Sequence, residues 1–232
     1  MRAFVGLLFL AVAGCSVQSS STGVALKTDR PAFTSGERES VAQNFAMALR
    51  HMRPVILETC AQATKKLNCD FYFELDSRSG APPNAFQSIR SDGRPVLGFS
   101  LTLLMDMRSK DEMAFVIGHE ASHHILGHLN RQRKSAKGGA VIFGVLAAAL
   151  GGSIESVDAA VDMGAAVGAR NYSKDYELEA DRLGAKMTFQ AGYDPVLGAA
   201  YFTRIVDPGN KFLGTHPPNS ARIAAVRVAV GR

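Results

Sequence analysis

Four of the six histidines in this 232-residue chain fall within ten positions, His119-Glu120-Ala121-Ser122-His123-His124-Ile125-Leu126-Gly127-His128. The first five read His-Glu-x-x-His, and that spacing restricts the fold more than any other feature. Side chains four apart share one face of an α-helix, so His119 and His123 can each offer a ring nitrogen to one zinc ion while Glu120 stands beside them. A helix is expected here on independent grounds as well. Ser109 followed by Glu112 is a capping box, and it starts a helix predicted to run to about Arg133. His124 and His128 project from other faces than His119 and are assigned to packing.

A catalytic zinc keeps three protein ligands and leaves the fourth position to water. Leu129 stands six positions after His123, where a third histidine would mark one common arrangement, and it excludes that arrangement. The alternative is a carboxylate from a separate helix. Residues 176–184, Tyr-Glu-Leu-Glu-Ala-Asp-Arg-Leu-Gly, offer Glu177, Glu179 and Asp181. On a helix Glu177 and Asp181 share a face and Glu179 points to the opposite side. One of the pair can bind the metal while the other holds a ligand histidine through its second ring nitrogen, and spacing alone leaves open which does which.

Around this centre the composition permits a buried core: 47% of residues are apolar and 20% charged, which excludes wholesale disorder and a polytopic membrane protein. A balance of 26 basic to 21 acidic side chains, evenly spread, marks no nucleic-acid groove, and no nucleic-acid partner is expected. Met1-Arg2 followed by an apolar run to Ala13 reads as a secretory signal peptide over residues 1–14. Val12-Ala13-Gly14-Cys15 resembles the bacterial lipobox, in which the cysteine is lipidated and becomes the first residue of the mature chain. With Ser16 after it, the resemblance implies a periplasmic protein anchored to the outer membrane through Cys15. Residues 15–35 are then a lipidated, flexible tether and 36–232 the folded domain. With Cys15 lipidated, Cys60 and Cys69 remain, in an oxidising compartment and at a helix-to-strand junction, and a disulfide between them is expected.

Apolar residues at three- and four-residue steps predict a helix over 36–66, kinked or restarted at Pro54. Residues 70–76 read as a strand, and 85–89 with 96–101 as a hairpin turning at Ser91-Asp92-Gly93. Further helices are expected over 172–192, from Asp194-Pro195 to about Val206, and over 219–230. The stretch 138–154 carries no charge, and nine of its 17 residues are Gly or Ala. A single membrane crossing there would part the histidines from Glu177, so a buried or membrane-contacting hairpin is expected instead.

His-Glu-x-x-His followed by Glu-x-x-Ala-Asp resembles the zinc peptidases that include the CAAX prenyl-protein endopeptidases, the heat-shock protease HtpX and the Oma-type mitochondrial protease, with the lipidated periplasmic branch nearest in size. Pro83-Asn84-Ala85-Phe86, Gly127-His128, Thr215-His216-Pro217-Pro218 and Arg222 also have counterparts in that family, so the likeness covers residues 84–222. The resemblance implies an α+β, mainly α, zincin-type (gluzincin) domain with a small antiparallel sheet and one zinc ion per chain. It makes Glu177 the third ligand beside His119 and His123 and places His216 close to the metal, with Asp181 and Arg222 supporting the ligands. Glu120 is expected to act as general base in peptide hydrolysis, and the strand 96–100 to take an extended substrate by strand addition at a sheet edge. Misfolded or unassembled envelope proteins are the implied substrates. Two alternatives stay open: a chaperone with a structural zinc, and a latent protease held shut by His216.

Overall fold

A computed structural model describes residues 34–63, 66–78, 81–171, 173–209 and 216–232. The expected signal peptide, Cys15 and all of the tether but its last two residues lie outside the described residues, as does Thr215. Ser35 already belongs to the first helix, α1 (Ser35–Ala63). Thr34 and Glu37 cap it reciprocally, the Glu37 amide donating to Thr34 Oγ1 and the Thr34 amide to the Glu37 carboxylate. Phe45, Ala48, Met52, Ile56 and Cys60 form its buried stripe. The helix does not restart at Pro54, which sits on the exposed side, where water can take the hydrogen bond the ring cannot supply.

Three strands follow, β1 (Tyr72–Asp76), β2 (Ala85–Ile89) and β3 (Pro95–Ser100), in the spatial order β1-β3-β2. The hairpin β2-β3 is antiparallel as expected, but β1 pairs with β3 in parallel, so the sheet is mixed and not antiparallel. The short connection from Asp76 to Ala85 starts β2 at the end where β1 stops, so β1 runs against β2 and therefore with β3. Alternating residues mark strands without fixing their neighbours. The clue lay in β3 itself, which is buried at every position while β1 and β2 are half exposed. At the Phe86↔Gly98 pair the aromatic ring lies over the glycine and fills the place of its missing side chain.

Ser100 ends β3 and caps α2 (Leu101–Asp106), its hydroxyl accepting from the Leu103 amide. Helix α3 (Lys110–Ile125) then runs through the centre of the domain, buried on nearly every side from Glu112 to Ser122. Ser109 caps it through the Glu112 amide, as the capping box requires, but the Glu112 carboxylate turns to the Arg108 amide and to a fork of two bonds from Arg204.

The helix predicted to reach Arg133 instead stops at Ile125. Gly127 adopts φ +67°, a left-handed conformation that glycine takes without a steric penalty, and the chain restarts as α4 (His128–Ala149). Helix α4 doubles back on α5 (Ile154–Asn171) in a two-helix hairpin. The glycines make this packing close: a Cβ on Gly139 would run into the Gly164 backbone, and one on Gly168 into that of Ser135. Helix α6 (Ser173–Gln190) returns across α3 and ends at Gly192, φ +86°. Short helices α7 (Pro195–Ala199) and a 3-10 turn (Ala200–Thr203) lead to α8 (Asn219–Ala229). Cys60 at the end of α1 and Cys69 on the approach to β1 stand at disulfide distance, their Cα atoms 5.9 Å apart.

Candidate metal centre

The two helices that carry the motifs cross backbone to backbone. A Cβ on Gly184 of α6 would lie 2.8 Å from the His119 amide nitrogen, and one on Gly118 of α3 would lie 2.9 Å from the Gly184 carbonyl oxygen. Only glycine at both positions allows this approach, which lays the Glu177–Asp181 face of α6 against the His119–His123 face of α3. His119 Nε2 and His123 Nε2 lie 3.1 Å apart, and the Glu177 carboxylate reaches them at 3.5 and 3.4 Å. One donor atom from each of His119, His123 and Glu177 falls within 4.8 Å of the other two, a set that can hold one metal ion.

Each imidazole is oriented from behind. His119 Nδ1 donates to Asp181 Oδ1 at 2.9 Å, which directs its Nε2 towards His123 and Glu177. Asp181 is completely buried, and Arg222 from α8 holds it with two bonds of 2.7 and 2.8 Å. Arg222 Nη2 also stands 3.5 Å from Glu177, so one guanidinium braces both carboxylates of α6. Behind His123 stands His128, Nδ1 to Nδ1 at 2.9 Å, and His128 Nε2 in turn donates to Glu179 at 3.1 Å. Glu179 is gripped by Arg131, whose guanidinium covers the Tyr176 ring, itself stacked on His128.

Helical spacing places His128 and Glu179 away from the site, and the structure brings them into its support. Five residues along a continuous helix separate two side chains by about 140°, so His123 and His128 could not have met on one. The turn at Gly127 brings His128 back. A glycine in the middle of a predicted helix was the available sign. His124 is a packing residue as expected, edge-on to Phe71 with a ring nitrogen 2.8 Å from the Asn68 carbonyl.

The electrostatics suit a cation. Burial opposes a charge on His119, but hydrogen bonds to Asp181 and Glu177 outweigh it and push it up to about 10, so without a metal its ring carries a second proton that an ion would displace. Burial pushes His123 down to about 3, with the charge of His119 acting the same way, so its ring is neutral as a ligand must be. Burial also opposes ionisation of Glu177, yet the His119 hydrogen bond and the nearby positive charges hold it well below the usual carboxylate range. Glu120, 9% exposed, is pushed up to about 7 by burial, with the charge of Glu177 adding to it and that of His119 opposing.

Glu120, His123 and Glu177 sit where two depressions meet. The larger, about 650 Å³, is walled by Phe115, Val116, Phe202 and Ile205 with His216 at its rim; the smaller, about 200 Å³, by Gln87, Leu129, Gln132 and Tyr176. His216 Nε2 lies 4.0 Å from the Glu177 carboxylate with its side chain half exposed. The strand expected to receive an extended chain, 96–100, is not at an edge: β1 and β2 cover both sides of β3. Strand β2 is the edge that faces the centre, with Ala85 on the larger depression and Gln87 on the smaller.

Two histidines one turn apart on a central helix, a carboxylate from a second helix and a buried glutamate beside the first histidine are the features of a metallopeptidase of the His-Glu-x-x-His type. Residues 37–230 match peptidase family M48, and the chain belongs to that family. A stretch of 143 residues is 32% identical to a Vibrio cholerae serotype O1 protein named beta-barrel assembly-enhancing protease, over 54% of this chain and 28% of that protein. Over 130 residues the chain is 29% identical to Metalloprotease LoiP of Escherichia coli K12, covering 53% of this chain and 51% of that protein. The matches thus span about half or less of the length of these curated relatives.

Proposed function

We propose that the chain is a zinc-dependent endopeptidase acting on misfolded or unassembled envelope proteins in the bacterial periplasm, held at the outer membrane by a lipidated Cys15. The observation that carries the catalytic part is the convergence of His119, His123 and Glu177 within 4.8 Å beside a buried Glu120. Two imidazoles and a carboxylate match the donor set of a hydrolytic zinc site, and each ring has its second nitrogen engaged. Bound there, zinc supplies a Lewis acid that acidifies water and polarises a peptide carbonyl. Glu120, buried beside His119, is placed to accept the proton of an attacking water and to pass it to the leaving amine. The outer edge of β2 supplies backbone partners for an extended chain. His216 stands at the rim, where it can bond a developing oxyanion or close the cleft. The compartment and the substrate class rest on the lipobox-like start and on the family resemblance, to which the name of the Vibrio relative adds support.

The test compares zinc content and cleavage of an unfolded protein between wild type and Glu120→Gln. The variant is expected to keep its zinc and to lose about 100- to 10,000-fold in rate. Undiminished cleavage overturns the assignment, and undiminished function in cells favours the chaperone alternative. In the same assay a slower His216→Ala makes His216 a group that serves the reaction, and a faster one makes it a latch.

A further inference from the structure

The hairpin α4-α5 is built the opposite way from a helix pair made for water. Small residues bring its backbones together, Gly139 against Gly164 and Gly168 against Ser135, while Gly144 makes room for Val161 and Gly164 for Phe143. Its large apolar residues point outwards, with Val141 64%, Ile142 65%, Val145 64%, Leu146 56% and Leu150 79% exposed. In water the hydrophobic effect puts large side chains into the seam, whereas in lipid, where apolar tails solvate them equally well, small residues take the seam and large ones face out.

The two outer faces of the hairpin differ. At 100° per residue, Val141, Ile142 and Val145 fall about 130 to 170° from the mean direction of Gly139 and Gly144, so they form the side of α4 turned away from α5. Lys134 lies on that same side two turns earlier, and Lys137 on its flank. On α5, Glu155, Asp158 and Asp162 fall about 120 to 180° from Gly164, on the side turned away from α4. The hairpin is therefore a two-layer slab, apolar with a basic end on one surface and acidic on the other. Among the described residues no helix is long and apolar enough to cross a membrane. The uncharged part of α4, 138–149, is about 18 Å long, too short for a hydrocarbon core of about 30 Å.

We propose that the outer face of α4 lies in the interfacial layer of a membrane, with Val141, Ile142 and Val145 among the acyl chains, Leu146 on their flank, Lys134 and Lys137 on anionic headgroups and the acidic row of α5 turned to water. Lipid is the occupant that the small-residue seam, the basic end and the acidic reverse face together select over a second copy or an unfolded chain. Leu129 and Gln132, at the base of α4, line the smaller depression beside Glu120. Docking by this face therefore holds the metal centre close to the bilayer surface. The inference does not depend on peptidase activity.

The chain contains no tryptophan, which allows a direct reading. The full-length protein carrying Val145→Trp is reconstituted in phosphatidylcholine vesicles containing phosphatidylglycerol, with and without brominated acyl chains. Val228→Trp, on the exposed side of α8, serves as the reference in the same vesicles. Tryptophan at 145 is expected to be quenched several-fold more by brominated lipid than tryptophan at 228, and the difference should shrink in Lys134→Glu/Lys137→Glu. Equal quenching at the two positions overturns the proposal. A blue-shifted tryptophan at 145 that brominated lipid leaves bright also overturns it, and assigns the face to a second copy or another protein chain.

Discussion

At the scale of single residues, Glu120 and His128 show how burial converts ordinary side chains into specific tools. Burial raises the Glu120 carboxyl from 4.5 to about 7, so in the folded protein it holds its proton to higher pH than in the unfolded chain. The stability this contributes is present below about pH 4.5 and lost as the pH rises through about 7. In metal-free protein, Glu120→Gln should therefore gain on wild type between pH 4.5 and 8, by up to about 3 kcal/mol in denaturant titrations. A difference that stays level with pH would mean that Glu120 ionises in the fold as it does in solution. His128 touches no metal donor atom of its own but holds His123 from behind, and His128→Ala is expected to weaken zinc binding about 10- to 100-fold in a chelator competition. Unchanged affinity would reduce the His123–His128–Glu179 chain to packing. The ligand pattern was readable in sequence because four-residue spacing has one meaning on a helix. The support chain was not, because it depends on the left-handed turn at Gly127 that interrupts the helix between His123 and His128.

Elements place the donors, and here the decisive contact is between backbones. Helices α3 and α6 meet at Gly118 and Gly184, where any Cβ would stand against main-chain atoms that cannot swing aside. Gly184→Ala should part the helices, lower stability by about 1 to 3 kcal/mol and loosen zinc binding together with it. Thermal denaturation and zinc titration of that variant measure both. If both match wild type, the close approach is incidental. The arrangement of the sheet is decided at the same scale. Residues 70–76, 85–89 and 96–101 were each recognisable as strands, yet β3, expected at an edge, sits in the middle because β1 crosses to its far side. Strand identity is local, whereas strand order is set by which faces must be covered against α3. The edge that faces the metal centre consequently belongs to β2.

Across the whole molecule, one ion would join two segments far apart in the chain, α3 and α6, with α8 bracing them through Arg222 and Asp181. A ligand that binds only the folded state stabilises it by mass action, so zinc at about a thousand times its Kd should add about 4 kcal/mol to unfolding. Calorimetry should show a Tm that rises with zinc concentration and falls on adding a chelator, and a Tm indifferent to both would mean that the ion does not link these helices. What the sequence determined by itself was chemistry that lives within one or two helical turns: the paired histidines, the flanking glutamate, the shared face of Glu177 and Asp181, the helix caps. Those are set by 3.6 residues per turn and need no knowledge of the remainder of the chain. Only the tertiary structure decided that Asp181 orients His119, that His128 and Glu179 stand behind His123, that β2 is the open edge, and that the apolar face of α4 is left uncovered. Each of these depends on which distant surfaces meet, and the spacing of residues along one element carries no record of that.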